Sequence, residues 1–250
     1  MDIEGHRVLI TGGSAGIGIA YARSLLEAGC RVAICGRNPA RLTRAEAALP
    51  GVITIQADVA DDDDLARLAA GAEERLDGLS MLINNAGIQY RNAFPSEPAE
   101  KLLNEVEHEI AVNFTGLVKL TTYCLPALRK APEAAIVNIS SGLAIVPKAS
   151  APIYCATKAA VHSFSKALRY QCEDTCPSVR VFEVLPPMVE TAMTSGRGRP
   201  RDKITPEQVV AETLSGMRRD RHEINVGKTR LLYWVNRLVP RVAEKILRNV

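Results

Sequence analysis

Arg7-Val8-Leu9-Ile10-Thr11-Gly12-Gly13-Ser14-Ala15-Gly16-Ile17-Gly18 decides the fold of this chain. A short apolar run enters a glycine-rich turn, and from Ile17 onward the apolar residues recur with helical period. Strand, tight turn and helix in that order form the first half of a parallel crossover unit. The beat then repeats. Short strand-like runs occupy Arg7–Ile10, Arg31–Cys35, Val52–Ala57, Leu79–Asn84, Ala135–Ser140, Val179–Leu185 and Glu223–Val226. Helical periodicity fills Ile17–Ala28, Pro39–Ala48, Asp61–Leu76, Pro98–Leu128, Tyr154–Cys172 and Pro206–Arg218.

The early strands are apolar throughout, as strands are when both sheet faces are covered. The expected fold is therefore α/β: a Rossmann-like, doubly wound parallel sheet of about seven strands with helices on both faces. No repeat or long linker divides it, so residues 1–227 are expected to form one dinucleotide-binding and catalytic domain. Residues 228–250 follow as an amphipathic helical extension interrupted at Pro240. A net charge of +3 is too small for a nucleic-acid binder. No apolar run reaches the ~20 residues of a membrane span, and Met1-Asp2-Ile3-Glu4 is acidic where a signal peptide is basic. A cytoplasmic location is expected. The six cysteines have no zinc or disulfide rhythm and the histidines are dispersed, so metal-independent chemistry is expected.

The turn Thr11, Gly12, Gly13, Ser14, Gly16, Ile17 and Gly18 suits a pyrophosphate. Glycines let the backbone approach it closely, and the helix N-terminus offers N–H donors and positive dipole. The end of the second strand chooses between the nicotinamide dinucleotides. An NAD(H) site places a carboxylate there for the ribose 2′-hydroxyl. This chain instead reads Cys35-Gly36-Arg37-Asn38. The Arg37 fork would grip a 2′-phosphate, with Ser14 and Arg41 as possible helpers, so NADP(H) is favoured over NAD(H).

With these motifs in order, and with Asp58-Val59, Asn84-Asn85-Ala86-Gly87, Asn113, Ser141 and Tyr154-x-x-x-Lys158 following them, the chain resembles the short-chain dehydrogenase/reductase family. The resemblance belongs to the compact single-domain branch and extends to about Thr191. Within it, Leu185-Pro186-Pro187-Met188-Val189-Glu190-Thr191-Ala192-Met193-Thr194 and the basic tail resemble DltE-type reductases. It implies that Asp58 and Val59 contact the adenine ring, and that Asn85, Ala86 and Gly87 line the adenine-ribose side. It places Pro186, Val189 and Thr191 beside the nicotinamide, Ser141 rather than Ser140 at the substrate oxygen, and Asn113 behind a proton-relay water. Pro186-Pro187 stands where relatives more often have Pro-Gly.

Tyr154 and Lys158 lie four residues apart on a predicted helix, hence on one face. A phenol titrates at about 10; a neighbouring ammonium and an oxidised nicotinamide ring would together lower that value and make it a usable acid or base. The expected reaction is hydride transfer between nicotinamide and the carbon of a small carbonyl or alcohol, with Tyr154 as acid/base. The 3-oxoacyl-carrier-protein reductases and a non-catalytic NADP(H) sensor are the alternatives. Gly142–Ile153 and Val189–Lys203 are expected to wall the substrate. Ser195–Lys203 is either a mobile, solvated basic loop or, through Arg197, Arg199, Arg201 and Lys203, an attractor for an anionic handle such as a phosphopantetheine carrier. The tail would pack on the protein or a sister subunit, or touch an anionic membrane surface. A homodimer or homotetramer is expected. If Arg37 grips the 2′-phosphate, Arg37→Asp raises the KM for NADPH roughly 10- to 100-fold and improves NADH use; steady-state kinetics with both cofactors checks this.

Overall fold

The computed structural model describes residues 1–248. Seven strands, β1 (Arg7–Thr11), β2 (Arg31–Gly36), β3 (Ile53–Gln56), β4 (Met81–Asn84), β5 (Ala134–Ile139), β6 (Val179–Leu185) and β7 (Glu223–Asn225), form one sheet. Their order is β3-β2-β1-β4-β5-β6-β7, and every pairing is parallel. Parallel neighbours need long crossovers, supplied by α1 (Gly16–Glu27), α2 (Pro39–Ala48), α3 (Asp62–Leu76), α4 (Ala99–Ile110), α5 (Gly116–Leu128), α6 (Pro152–Thr175) and α7 (Pro206–Arg218). Helices α8 (Thr229–Leu238) and α9 (Pro240–Leu247) follow the last strand.

The strand pleat divides the core. Val8 and Ile10 of β1 face one way, into a core with Tyr21 and Leu25 of α1 and Val210 of α7. Leu9, between them, faces the opposite core with Leu68, Leu120 and Leu168 from α3, α5 and α6. Both faces are thus sealed, as the unbroken apolar strands require. Helix starts are set locally: Asn38 accepts from the Arg41 amide, Asp61 from the Asp64 amide, and Thr205 forms a capping box with Gln208.

Because β2 and β4 flank β1, chain order runs outward in both directions from it. Ligands of open α/β sheets bind at such reversals, beyond the carboxyl ends of the strands.

Two helical expectations need correction. Pro98–Leu128 is not one regular helix: between α4 and α5 lies a π turn, Ala111–Thr115, that carries Asn113. The wider turn shifts which side chains face inward, a device that periodicity does not reveal. Helix α6 also runs further than Tyr154–Cys172, from Pro152 to Thr175. The tail breaks between Leu238 and Pro240, at the proline marked in the sequence. Its two helices fold back over the carboxyl edge of the sheet, where the Ala149 amide donates to the Arg248 carbonyl at 3.0 Å. Among the described residues no helix is long and apolar enough to cross a membrane.

At the start of α5, a Cβ on Gly116 would lie 2.0 Å from the Val59 carbonyl oxygen. Gly116→Ala is expected to destabilise the fold by about 1–3 kcal/mol through overpacking, although alanine adds ~1 kcal/mol of helix propensity. Urea unfolding midpoints measure the net sign.

Candidate active site

A cleft of about 1280 Å³ crosses the carboxyl end of the sheet. It exceeds the ~300–1,000 Å³ of an ordinary small-ligand pocket, which leaves room for a dinucleotide beside a second molecule.

One end is the glycine turn between β1 and α1. Gly16 is left-handed, with φ +54°, and a Cβ on Gly18 would lie 2.3 Å from the Gly12 carbonyl oxygen. Only glycine keeps the turn this tight. Thr11, buried beneath it, accepts from the Asn85 and Ala86 amides through Oγ1, each at 2.9 Å. The Asn85 Nδ2 returns a bond to the Thr11 carbonyl at 2.9 Å. The first turn and the loop after β4 are thereby locked together.

Gly12, Ser14, Gly16, Ile17, Arg37, Val59, Asn85, Ala86 and Gly87 border this half of the cleft. Arg37 and Arg41 stand at its rim, where the Arg37 Nη1 lies 3.5 Å from Asp58 Oδ2 and 3.4 Å from His108 Nε2. Thr11, Gly13, Gly18, Asp58 and Asn113 sit behind the lining: Gly13 packs on Ile34, and Asp58 also accepts from the Ala60 amide at 3.0 Å.

The other half is built on β5, β6 and α6. Tyr154, Lys158, Ser141, Pro186, Val189 and Thr191 border it. Lys158 is only 4% exposed, and its Nζ donates to the Ile139 carbonyl at 2.8 Å and lies 5.7 Å from the centre of the Tyr154 ring. Ser141 caps a short turn by accepting from the Leu143 amide at 3.1 Å. Ser140 instead donates to the Lys158 carbonyl, 3.1 Å away, and serves to fix α6. Asn113 accepts from the Ile88 amide at 2.8 Å and donates to the Ile88 carbonyl at 2.9 Å, clamping the loop beside Gly87.

The electrostatics depart from the sequence-based expectation. Burial pushes the Tyr154 phenol up to about 12, with the Ser141 hydroxyl pulling the other way. Burial also pushes the Lys158 amine down to about 8, while Glu183 and Glu109 hold it up. The lysine is turned toward the Ile139 carbonyl and disfavoured as a cation. The protein by itself therefore does not make the phenol unusually acidic.

Sequence reasoning missed both carboxylates. Glu183 interrupts the apolar strand β6, buried, and its Oε2 lies 2.6 Å from His162 Nδ1. A charge inside a central strand was the signal available. Glu109 is wholly buried, and burial pushes its carboxyl up to about 7. It precedes Asn113 by four residues, but only the π turn and the loop at Tyr90 bring it near the site. Nor is Ser195–Lys203 simply solvated. Arg197 donates to the Gln89 side chain, and Lys203 Nζ donates to the Thr194 carbonyl at 2.7 Å. Among the described residues no group of three histidine, cysteine or acidic side chains is arranged for a metal ion.

The family model for short chain dehydrogenases matches residues 6–202. This chain belongs to that family. The short-chain dehydrogenase is 45% identical over 231 residues to the uncharacterized oxidoreductase DltE of Bacillus subtilis, covering 90% of this chain and 89% of that one. A short chain dehydrogenase of Burkholderia cenocepacia in complex with NADP is 26% identical, with TM-score 0.85 and 99% of each chain covered. One of Burkholderia phymatum in complex with NAD shares the fold at TM-score 0.85 and 22% identity, over 100% and 97% of the two chains. The chain is accordingly an oxidoreductase of this family with a nicotinamide-binding fold.

Glu109 also sets a stability test. An acid whose folded pKa lies above its unfolded value holds its proton longer in the folded state. Folding is thus favoured at low pH, and the advantage is lost as pH rises from about 4.5 through about 7. Glu109→Gln is expected to be more stable than the parent at pH 8, by roughly 3 kcal/mol, with the difference vanishing near pH 4. Denaturation midpoints across that range measure it.

Proposed function

We propose that this protein transfers hydride between NADP(H) and a carbonyl or alcohol carbon, with Tyr154 as proton donor and acceptor. The carrying observation is that Tyr154, Lys158 and Ser141 border the same cleft as the glycine turn. Arg37 at the rim, with no acid at the end of β2, supports NADP(H) over NAD(H). The Burkholderia cenocepacia relative is in complex with NADP and the Burkholderia phymatum one with NAD, so the choice rests on Arg37.

When bound, the cofactor supplies the hydride in reduction and accepts it in oxidation. In this reading the α1 N-terminus and the turn from Thr11 to Gly18 hold the pyrophosphate, and Arg37 takes the 2′-phosphate. Asp58, Val59, Asn85, Ala86 and Gly87 flank the adenosine. Pro186, Val189 and Thr191 support the nicotinamide side. Ser141 and Tyr154 hydrogen-bond the substrate oxygen as negative charge develops on it. Tyr154 gives that oxygen its proton, and Lys158 returns one to the phenolate. The high phenol pKa suits the reductive direction: Tyr154 enters the reaction protonated. Asn113 holds Ile88 and the adjoining Gly87 in place, leaving space for the lysine amine.

Tyr154→Phe is expected to lower turnover by about 100-fold or more and leave NADPH binding, followed by its fluorescence, within about threefold. Retention of most of the turnover on a panel of ketones, quinones and 3-oxoacyl thioesters would remove Tyr154 from this role.

A further inference from the structure

Lys148 lies in the connection from β5 to α6, is 7% exposed and borders the cleft. Its backbone is pinned beside the proposed proton donor: its amide donates to the Cys155 sulfur at 3.4 Å, and that thiol donates back to its carbonyl at 3.9 Å. Cys155 directly follows Tyr154. Among the described residues the Lys148 ammonium has no hydrogen-bond or ion-pair partner. Burial pushes its pKa down, the like charge of Arg197 adds to that, the Cys155 thiol works the other way, and Arg91 lowers it slightly further. Arg197 borders the same cleft, held to the side chain and carbonyl of Gln89.

The residue is enclosed while its Nζ keeps contact with the open cleft. Drawing a partnerless ammonium partly out of water beside the like charge of Arg197 disfavours it. Glu109, the buried carboxyl whose charge is felt by Arg197, is pushed up to about 7 and supplies Arg197 with only part of a counter-charge near neutrality. Cations arranged in this way complement an anion brought by the ligand. Met188, Leu143 and Leu232 border the cleft as well, so the body of that ligand meets apolar walls.

We propose that Lys148 and Arg197 form an anion subsite in the substrate half of the cleft, and that the substrate is an oxo acid or hydroxy acid whose carboxylate they bind. The inference rests on the oxidoreductase reading, because it takes the ligand's other end to be the carbonyl at Tyr154. Gln89 is a positioning residue that orients the Arg197 fork. Arginine supplies paired donors and lysine a point charge, a combination that suits a carboxylate seated between them.

The test uses matched pairs: acetoacetate, 4-oxopentanoate and 5-oxohexanoate, each against its methyl ester, reduced with NADPH by the full-length protein. At least one acid is expected to exceed its ester in kcat/KM by about tenfold or more, mainly through KM. The ratio should fall near one in Lys148→Met and be largely kept in Lys148→Arg. Esters reduced as well as their acids would overturn the subsite and leave the oxidoreductase reading intact. If no pair turns over, calorimetry of the acids on the NADPH-loaded protein decides. Binding that Lys148→Met abolishes supports the subsite and counts against the hydride-transfer reading. No binding of any acid overturns the subsite. Should Lys148→Met not fold, Arg197→Gln is read in the same way.

Discussion

Lys158 is a cation that the fold holds almost out of contact with water, against the end of a strand. Burial opposes its charge, and two buried carboxylates, Glu183 and Glu109, push the other way. Much of the neighbouring structure follows from accommodating that amine. The Ile139 carbonyl at the end of β5 accepts a hydrogen bond from it, and Ser140 fixes the helix that carries it. A Cβ on Gly87 would lie 3.3 Å from Asn113 Oδ1, a tight approach, and 3.7 Å from Nζ, an ordinary contact. The end of β5, the loop after β4, the middle of β6 and two helices meet around one ammonium.

A second polar system ties the sheet together behind the cleft. Asn84 and Asn138, partners in the β4–β5 register, bond at 2.9 Å through Nδ2 and Oδ1. Thr121 of α5 and Ser165 of α6 take the next bonds, at 3.0 and 2.9 Å. Buried polar chains of this kind specify an arrangement more than they strengthen it, because any slip leaves donors and acceptors unpaired. Thr11 and Asn85 extend the same logic to the glycine turn. The lining can therefore present backbone and small side chains to a ligand while its shape is held from behind.

The substrate half is made differently, from segments far apart in the chain. Loops after β4, β5 and β6 contribute Gln89, Lys148 and Arg197, and α8 and α9 add Leu232, Val235 and Leu247. The tail thus has a definite place over the cleft, and its apolar inner side borders the region beside the charged subsite. The outer side leaves Trp234 and Leu238 exposed. Side chains carried on connections between regular elements are where ligand selectivity is expected.

Local patterns wrote much of this protein into its sequence. Strand and helix periods, the glycine turn, the Pro240 break and the i, i+4 spacing of Tyr154 and Lys158 depend on neighbours a few residues apart. They were legible for that reason. The π turn that places Asn113 was not, nor were Glu109 and Glu183 beside Lys158, the return of the tail, or the unpartnered Lys148. Each arises from contacts between segments tens of residues apart. Protonation belongs with these: spacing put an ammonium near a phenol, but only the packed structure revealed the desolvation that raises one group and lowers the other. Backbone geometry is a local property; the dielectric around a charge is a property of everything folded against it.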